Sequence, residues 1–246
     1  MGKAKKILLI SLISILFILF LIFHFVNNIS INTFSLVYIS TSLIFLVISL
    51  LIFKVELKFK EVAIITALGL LIRFSFINTE PVGSEDIYRY IWDGKVQANS
   101  INPYLYTAND SALVDLHSEI LPSKLNFAHM KTIYFPLSQW FFYIGYTLSG
   151  EDVWGYKLLL FIAELLTIIF LYFLIKKRNS ELKYLLFYVL APLPIIHFAL
   201  DGHVDGFGLP LFILSILFYF TNKKILSAIL LGLSISIKPV GLVLLP

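Results

Sequence analysis

The sequence contains no cysteine. That absence excludes disulfides, thiolate nucleophiles and cysteine-ligated zinc or iron–sulfur centres. Charge is scarce too: Asp, Glu, Lys and Arg supply 14% of the 246 residues, where a soluble domain carries about 25%. No G-x-x-x-x-G-K-[ST] and no strand-borne G-x-G-x-x-G occurs, so there is no nucleotide cradle. Nothing marks a nucleic-acid partner. G-x-S-x-G and H-E-x-x-H are missing as well, which removes two common hydrolase signatures. The first apolar run is too long for the h-region of a signal peptide, and no small-residue cleavage site follows it. No internal repeat and no low-complexity linker divides the chain.

What the sequence has in excess is apolar side chains, 59% of the total. They fall in runs such as Ile7–Val26, Phe34–Phe53 and Leu158–Ile175, each close to the ~20 residues that cross a bilayer core. Leu, Ile and Phe dominate, as a lipid-facing surface requires. The pattern predicts an all-α, polytopic bundle of about seven spans, at 7–27, 33–53, 62–78, 156–175, 184–200, 206–221 and 225–245. The whole chain, 1–246, reads as one membrane domain. The last span reaches Leu245-Pro246 with no loop after it, which reads as a C-terminally truncated chain.

The basic residues set the expected orientation. Lys3, Lys5 and Lys6 precede span one, and Lys54, Lys58 and Lys60 follow span two. Lys176, Lys177, Arg178 and Lys183 follow span four, and Lys223 and Lys224 follow span six. The positive-inside rule puts all four groups in the cytoplasm of an inner (plasma) membrane protein. The loop Asn27–Asn32 and the turn Asp201–Asp205 carry no Lys or Arg, and belong outside. The apolar run Pro136–Leu148 would reverse this parity if it crossed. It is short and contains Trp140, Tyr143 and Tyr146, which suit the membrane interface. It is therefore expected to lie in the outer interface. Thr79–Trp154 then becomes one long external segment.

That segment opens on Ser84-Glu85-Asp86-Ile87-Tyr88-Arg89-Tyr90-Ile91-Trp92-Asp93-Gly94. Ser84 is a candidate N-cap and Gly94 a candidate stop. In a helix, Asp86, Arg89, Tyr90 and Asp93 share one face. Two carboxylates, a guanidinium and a phenol could hold a phosphate and a sugar there. They could equally be a helix start favoured by its dipole, with Arg89 paired to Glu85 or Asp86. Downstream, Asn102-Pro103 has turn chemistry. His117 and His129 lie too far apart in sequence to imply a metal site.

Three further places carry charge or turn chemistry. Asp201-Gly202-His203-Val204-Asp205-Gly206 joins spans five and six on the outer side. It is either a coordinating or proton-relaying turn or a solvated one. Glu164 sits about 14 Å inside span four by helical rise, and Lys238 lies within span seven. Ionisable groups at such depth are functional candidates, although the two could simply pair with each other.

Taken in order, SEDIYRYIWDGKVQANSINPY, IYFPLSQ, DGHVDG and IKPVGL resemble the GT-C superfamily of polytopic glycosyltransferases, in its bacterial mannosyltransferase-like branch. The resemblance covers roughly Arg73 to Pro246. Glu85-Asp86 stands where members carry an acidic pair. Tyr134-Phe135-Pro136 keeps only part of a Tyr-Pro-Pro motif. The resemblance implies transfer of a hexose, nearest to mannose, from a polyprenyl-phosphate donor to a glycan or lipid acceptor on the outer face, with inversion. Asp86 would act as general base. Glu85 would orient the base, the sugar or a divalent cation. Arg89 and Lys238 would stabilise the leaving phosphate, while Tyr90, Asp93, His203 and Asp205 would complete the substrate-binding set. The competing reading is a lipid or sugar transporter. It draws on the Pro192/Pro194 break in span five and on the intramembrane charges.

Overall fold

The computed structural model describes residues 2–25, 29–239 and 242. It is all-α, with no strand among the described residues. Two long helices open the chain, α1 (Gly2–Phe25) and α2 (Ile31–Lys54), followed by α3 (Phe59–Ser75). The segment after α3 carries α4 (Asp86–Ala98) and α5 (Pro136–Ser149). Then come α6 (Trp154–Lys177), the short α7 (Leu186–Val189), a π-helical turn (Pro194–Leu200), α8 (Gly208–Phe220) and α9 (Lys224–Ile235).

Among the described residues, three helices are long and apolar enough to cross a membrane: Lys3–His24, Ile31–Lys54 and Trp154–Lys177. Leu182–Val189 and Pro194–Leu200 are bent by 56° at their break and count as a fourth only when taken together. The seven expected spans are thus corrected to three, or four with the broken pair. Several expected spans were short to begin with, and the helices found there are not longer. With 17 residues, α3 rises about 26 Å, short of the ~30 Å hydrocarbon core. At the far end of α8, Thr221-Asn222 turns the chain, with Asn222 at φ 60°. α9 stops at Ile235. The rest of the expected last span, including Leu245-Pro246, lies largely outside the described residues.

The long helices show what an apolar solvent requires. Ile7, Ile18, Leu36, Leu43, Leu50 and Leu71 are exposed, and such broad apolar faces are unusual on a soluble protein. The opposite faces build a core from Leu9, Leu16, Phe20, Ile48 and Ile52 against Leu186 and Val189.

Side-chain contacts fix the direction of each helix. Lys6 pairs with Glu61 at 2.6 Å, Lys183 donates to Val55 O, and the Arg178 guanidinium lies over the Phe220 ring. These contacts gather the start of α1 and α3 and the ends of α2, α6 and α8 at one basic end. At the other end His24 meets Ser75 at 2.9 Å, Lys157 donates to Thr79 O at 2.5 Å and also to Leu200 O, and Ser234 Oγ donates to Gly208 O. The loop segment with α4 and α5 sits at this second end.

Glu164 does not meet Lys238. Its partner is Arg73, at 2.7 Å, with both side chains almost fully buried. Arg73 also donates to Val189 O at 2.8 Å and to Tyr188 O at 3.3 Å. The i+4 donor of Tyr188 O would be residue 192, a proline with no N–H. Tyr188 O also accepts from Ala191 N at 3.3 Å, so it is chiefly Val189 O that depends on the guanidinium. Tyr188 Oη completes the set by donating to Glu164 at 2.8 Å.

Candidate active site

Ser84 and Glu85 place α4 at the mouth of the second end. Ser84 Oγ accepts from Asp86 N at 3.3 Å, while Glu85 occupies the N-cap position without a side-chain cap bond and is exposed. Gly94 does not stop the helix, which runs on to Ala98. Its role is close approach: a Cβ there would lie 2.3 Å from Phe142 O of α5.

The shared polar face of α4 divides in two. Asp86 stays partly exposed, and its Oδ2 lies 3.7 Å from His203 Nδ1. Arg89 and Asp93 turn inward and pair with each other at 3.0 Å rather than with Glu85 or Asp86. The Arg89 guanidinium also donates to Met130 O at 3.0 Å. Asp93 accepts from Thr132 Oγ1 at 2.5 Å and from Gln139 Nε2 at 2.9 Å. Burial raises the Asp93 carboxyl above its ordinary range, with Arg89, Thr132 and Gln139 opposing the shift. These two residues thus bind the 127–132 strap and α5 to α4.

Tyr90 leaves the polar face altogether. Its ring is 1% exposed and stacks on Phe142 at 4.7 Å, edge-on to Tyr134 at 5.0 Å. Burial holds its phenol well above the ordinary value, and that of Tyr134 is raised to about 12. Both remain neutral throughout the working pH range. An aromatic at i+4 from Asp86 looks like a binding residue in the sequence, but here it packs the α4–α5–α6 junction. His117 and His129 do not meet as a pair of ligands either: His117 bonds Ala108 O at 3.0 Å.

The turn Asp201–Gly206 supplies the facing wall. Asp201 ends the π-helical turn and is 1% exposed. Its Oδ1 accepts from Val82 N at 3.0 Å and Gly83 N at 2.7 Å. Gly202 takes φ 78°, in the left-handed region. A side chain at that position would strike Ile87 of α4, 2.6 Å away. This reversal lets His203 N donate to His197 O at 2.9 Å and brings the His203 ring toward Asp86. Asp205 pairs with Lys238 at 3.4 Å. Lys238 stands beyond the end of α9, at the same mouth as Asp86, and not deep within a span.

Between these groups lies a cavity of about 410 Å³. Leu193, Phe198, Leu209 and Phe212 give it an apolar wall, while His203, Asp205 and Lys238 give it a polar rim. The structure thus brings His203, Asp205 and Lys238 to the rim of this cavity; Asp86 meets His203 but lines, with Arg89, a separate hollow of about 70 Å³ beside Met130 and Tyr134, and Tyr90 and Asp93 are buried behind. Sequence reasoning missed His197 and Tyr156. His197 also lines the cavity, and an imidazole inside an apolar run was itself a signal. The Tyr156 hydroxyl is buried with no hydrogen-bond partner in the structure.

An all-α chain with helices of membrane-crossing length and a cavity rimmed by Asp205 is compatible with a membrane-associated protein. Residues 17–246 match the model of the alpha-(1->6)-mannopyranosyltransferase family, N-terminal domain, and the chain belongs to that family. Neither the curated proteins nor the solved structures yield a match. Membership of a mannosyltransferase family supports a glycosyltransferase role and does not favour the transporter reading.

Proposed function

We propose that the chain is a GT-C-type membrane glycosyltransferase that moves mannose from a polyprenyl-phosphate donor to a glycan hydroxyl on the outer face. The observation that carries this reading is the cavity. An apolar wall suited to a prenyl chain meets a cationic rim, Lys238, suited to its phosphate, with the Asp86 carboxylate reached across His203. The basic helix ends lie opposite this mouth, which favours an external site.

Asp86 takes the proton of the acceptor hydroxyl. The acceptor oxygen attacks the anomeric carbon as the bond to the lipid phosphate breaks, through an oxocarbenium-like transition state. Polyprenyl phosphate leaves with the electron pair, and Lys238 stabilises its charge. One displacement inverts the anomeric centre. An α-(1→6) product, the linkage in the family's description, therefore requires a β-linked donor and a primary hydroxyl as acceptor. Glu85 orients the acceptor or the base, and His203 and Asp205 shape the acceptor side. Arg89 and Asp93 act by positioning, because their polar atoms already have partners.

The test is a transfer assay in membranes containing the chain, with radiolabelled polyprenyl-phosphate mannose and a mannoside acceptor. Label in an α-(1→6)-linked product supports the reading. No transfer from this donor under conditions where the folded chain is present overturns it.

A further inference from the structure

We infer that His197, Asp201 and His203 form a binding site for a divalent transition-metal ion. One ligand atom from each residue lies within 4.8 Å of the other two. The three come from a single structural device, the π-helical turn Pro194–Leu200 followed by the Gly202 reversal. Regular α-helical winding through Asp201 would not fold His203 back onto His197, whose ring centre is 5.3 Å away. π-helical turns of this kind concentrate at functional sites.

A second observation points independently to a ligand. Asp201 is almost fully buried, and its two oxygens have different surroundings. Oδ1 is satisfied by Val82 N and Gly83 N, whereas Oδ2 is buried without any hydrogen-bond partner. A buried carboxylate oxygen left unpaired is costly, and a cation is the partner that removes the cost most fully. Lys157 does not supply that charge by contact, because its ammonium donates to the carbonyls of Phe76, Thr79 and Leu200.

The donor set selects the class of ion. Two imidazoles and one carboxylate suit zinc, manganese, iron or cobalt, whereas magnesium and calcium prefer oxygen-only shells. Around such an ion the donors stand about 3 to 3.5 Å apart, so the site closes by rotation of the two partly exposed histidines. Three protein ligands leave at least one coordination position open, as in catalytic rather than structural sites. Both histidines line the 410 Å³ cavity, where an incoming phosphate or hydroxyl oxygen would find that position. His203 Nδ1 faces Asp86, an arrangement in which a carboxylate orients a ligating imidazole.

The inference does not depend on the sugar-transfer reading, because metal binding is measured without substrate. The full chain is purified in detergent, freed of any affinity tag, stripped with chelator and titrated with Co²⁺. A ligand-field spectrum saturating at one equivalent and displaced by Zn²⁺ is expected. Asp201→Asn, which keeps the acceptor for Val82 and Gly83, and His203→Gln should each weaken binding at least about tenfold. His117→Gln, far from the three, should leave it unchanged. Thermal unfolding of the metal-free variants checks folding, and His197→Gln replaces any variant that does not fold. Absence of a Co²⁺ spectrum at millimolar metal, or a spectrum that survives Asp201→Asn and His203→Gln, overturns the site. So does loss of binding in His117→Gln.

Discussion

Asp86 Oδ2 and His203 Nδ1 stand 3.7 Å apart, although one residue opens the loop after α3 and the other follows the broken helix. Two segments distant in sequence thus converge where His203 meets the cavity and Asp86 a neighbouring hollow. If Asp86 is the base, Asp86→Asn removes proton acceptance and preserves shape. Mannose transfer should fall by about 10²–10⁴-fold, with the unfolding temperature unchanged because the side chain is partly exposed. Radiolabel transfer in membranes measures the first, and thermal unfolding in detergent the second. Full activity in the folded variant would remove Asp86 from the mechanism.

Lys238 provides a separate test of the phosphate side. Its side chain is 44% exposed and pairs with Asp205 at 3.4 Å. Lys238→Ala should lower transfer by about 10²–10³-fold, and Lys238→Arg should restore part of it. Asp205→Asn frees the ammonium and should change the KM for the donor more than kcat. Steady-state kinetics over a donor concentration series separates these outcomes.

Arg73 and Glu164 make a stability prediction without a catalytic one. Removing one partner leaves a buried charge unpaired, so Arg73→Met should cost about 3–5 kcal/mol. The double change Arg73→Met with Glu164→Leu should recover a large part of that loss. It should not recover all of it, because the carbonyl of Val189 loses the Arg73 donor. Unfolding temperatures of the two single variants and the double variant form the cycle that checks this.

At Gly94 the interface of α4 and α5 leaves no room for a methyl group. Gly94→Ala sets a Cβ against backbone rather than a flexible side chain, and overpacking of this kind costs about 1–3 kcal/mol. Faster proteolysis of the 99–135 loop should accompany the lower unfolding temperature.

The sequence makes α1, α2 and α6 legible because each is an unbroken apolar run of membrane length. Elsewhere the expected spans were short to begin with, as at α3 and α8, while a proline pair and Ser236 end helices inside runs that remain apolar. Asp86, His203, Asp205 and Lys238 could be named from charge placement and motif order, and they do gather. A helical wheel places Tyr90 and Asp93 on a face but does not say what covers that face. Here Phe142, Thr132 and Gln139 cover it. The Arg73–Glu164 pair was hidden for a different reason. Arg73 falls near the end of an apolar run and reads as a boundary residue, so only the packing of α3 on α6 shows its depth.

Asp201 also has a mechanical consequence. By accepting from Val82 and Gly83 it staples the segment that delivers Asp86 to the turn that delivers His203. The two cannot drift apart without stripping a buried carboxylate of these donors. That side of the cavity is therefore a fixed jaw. Across the cavity, Lys238 follows the end of α9, where Ser138 reaches Ile237 O at 3.3 Å. Whatever enters the cavity therefore meets an acid and an imidazole whose spacing is set in advance.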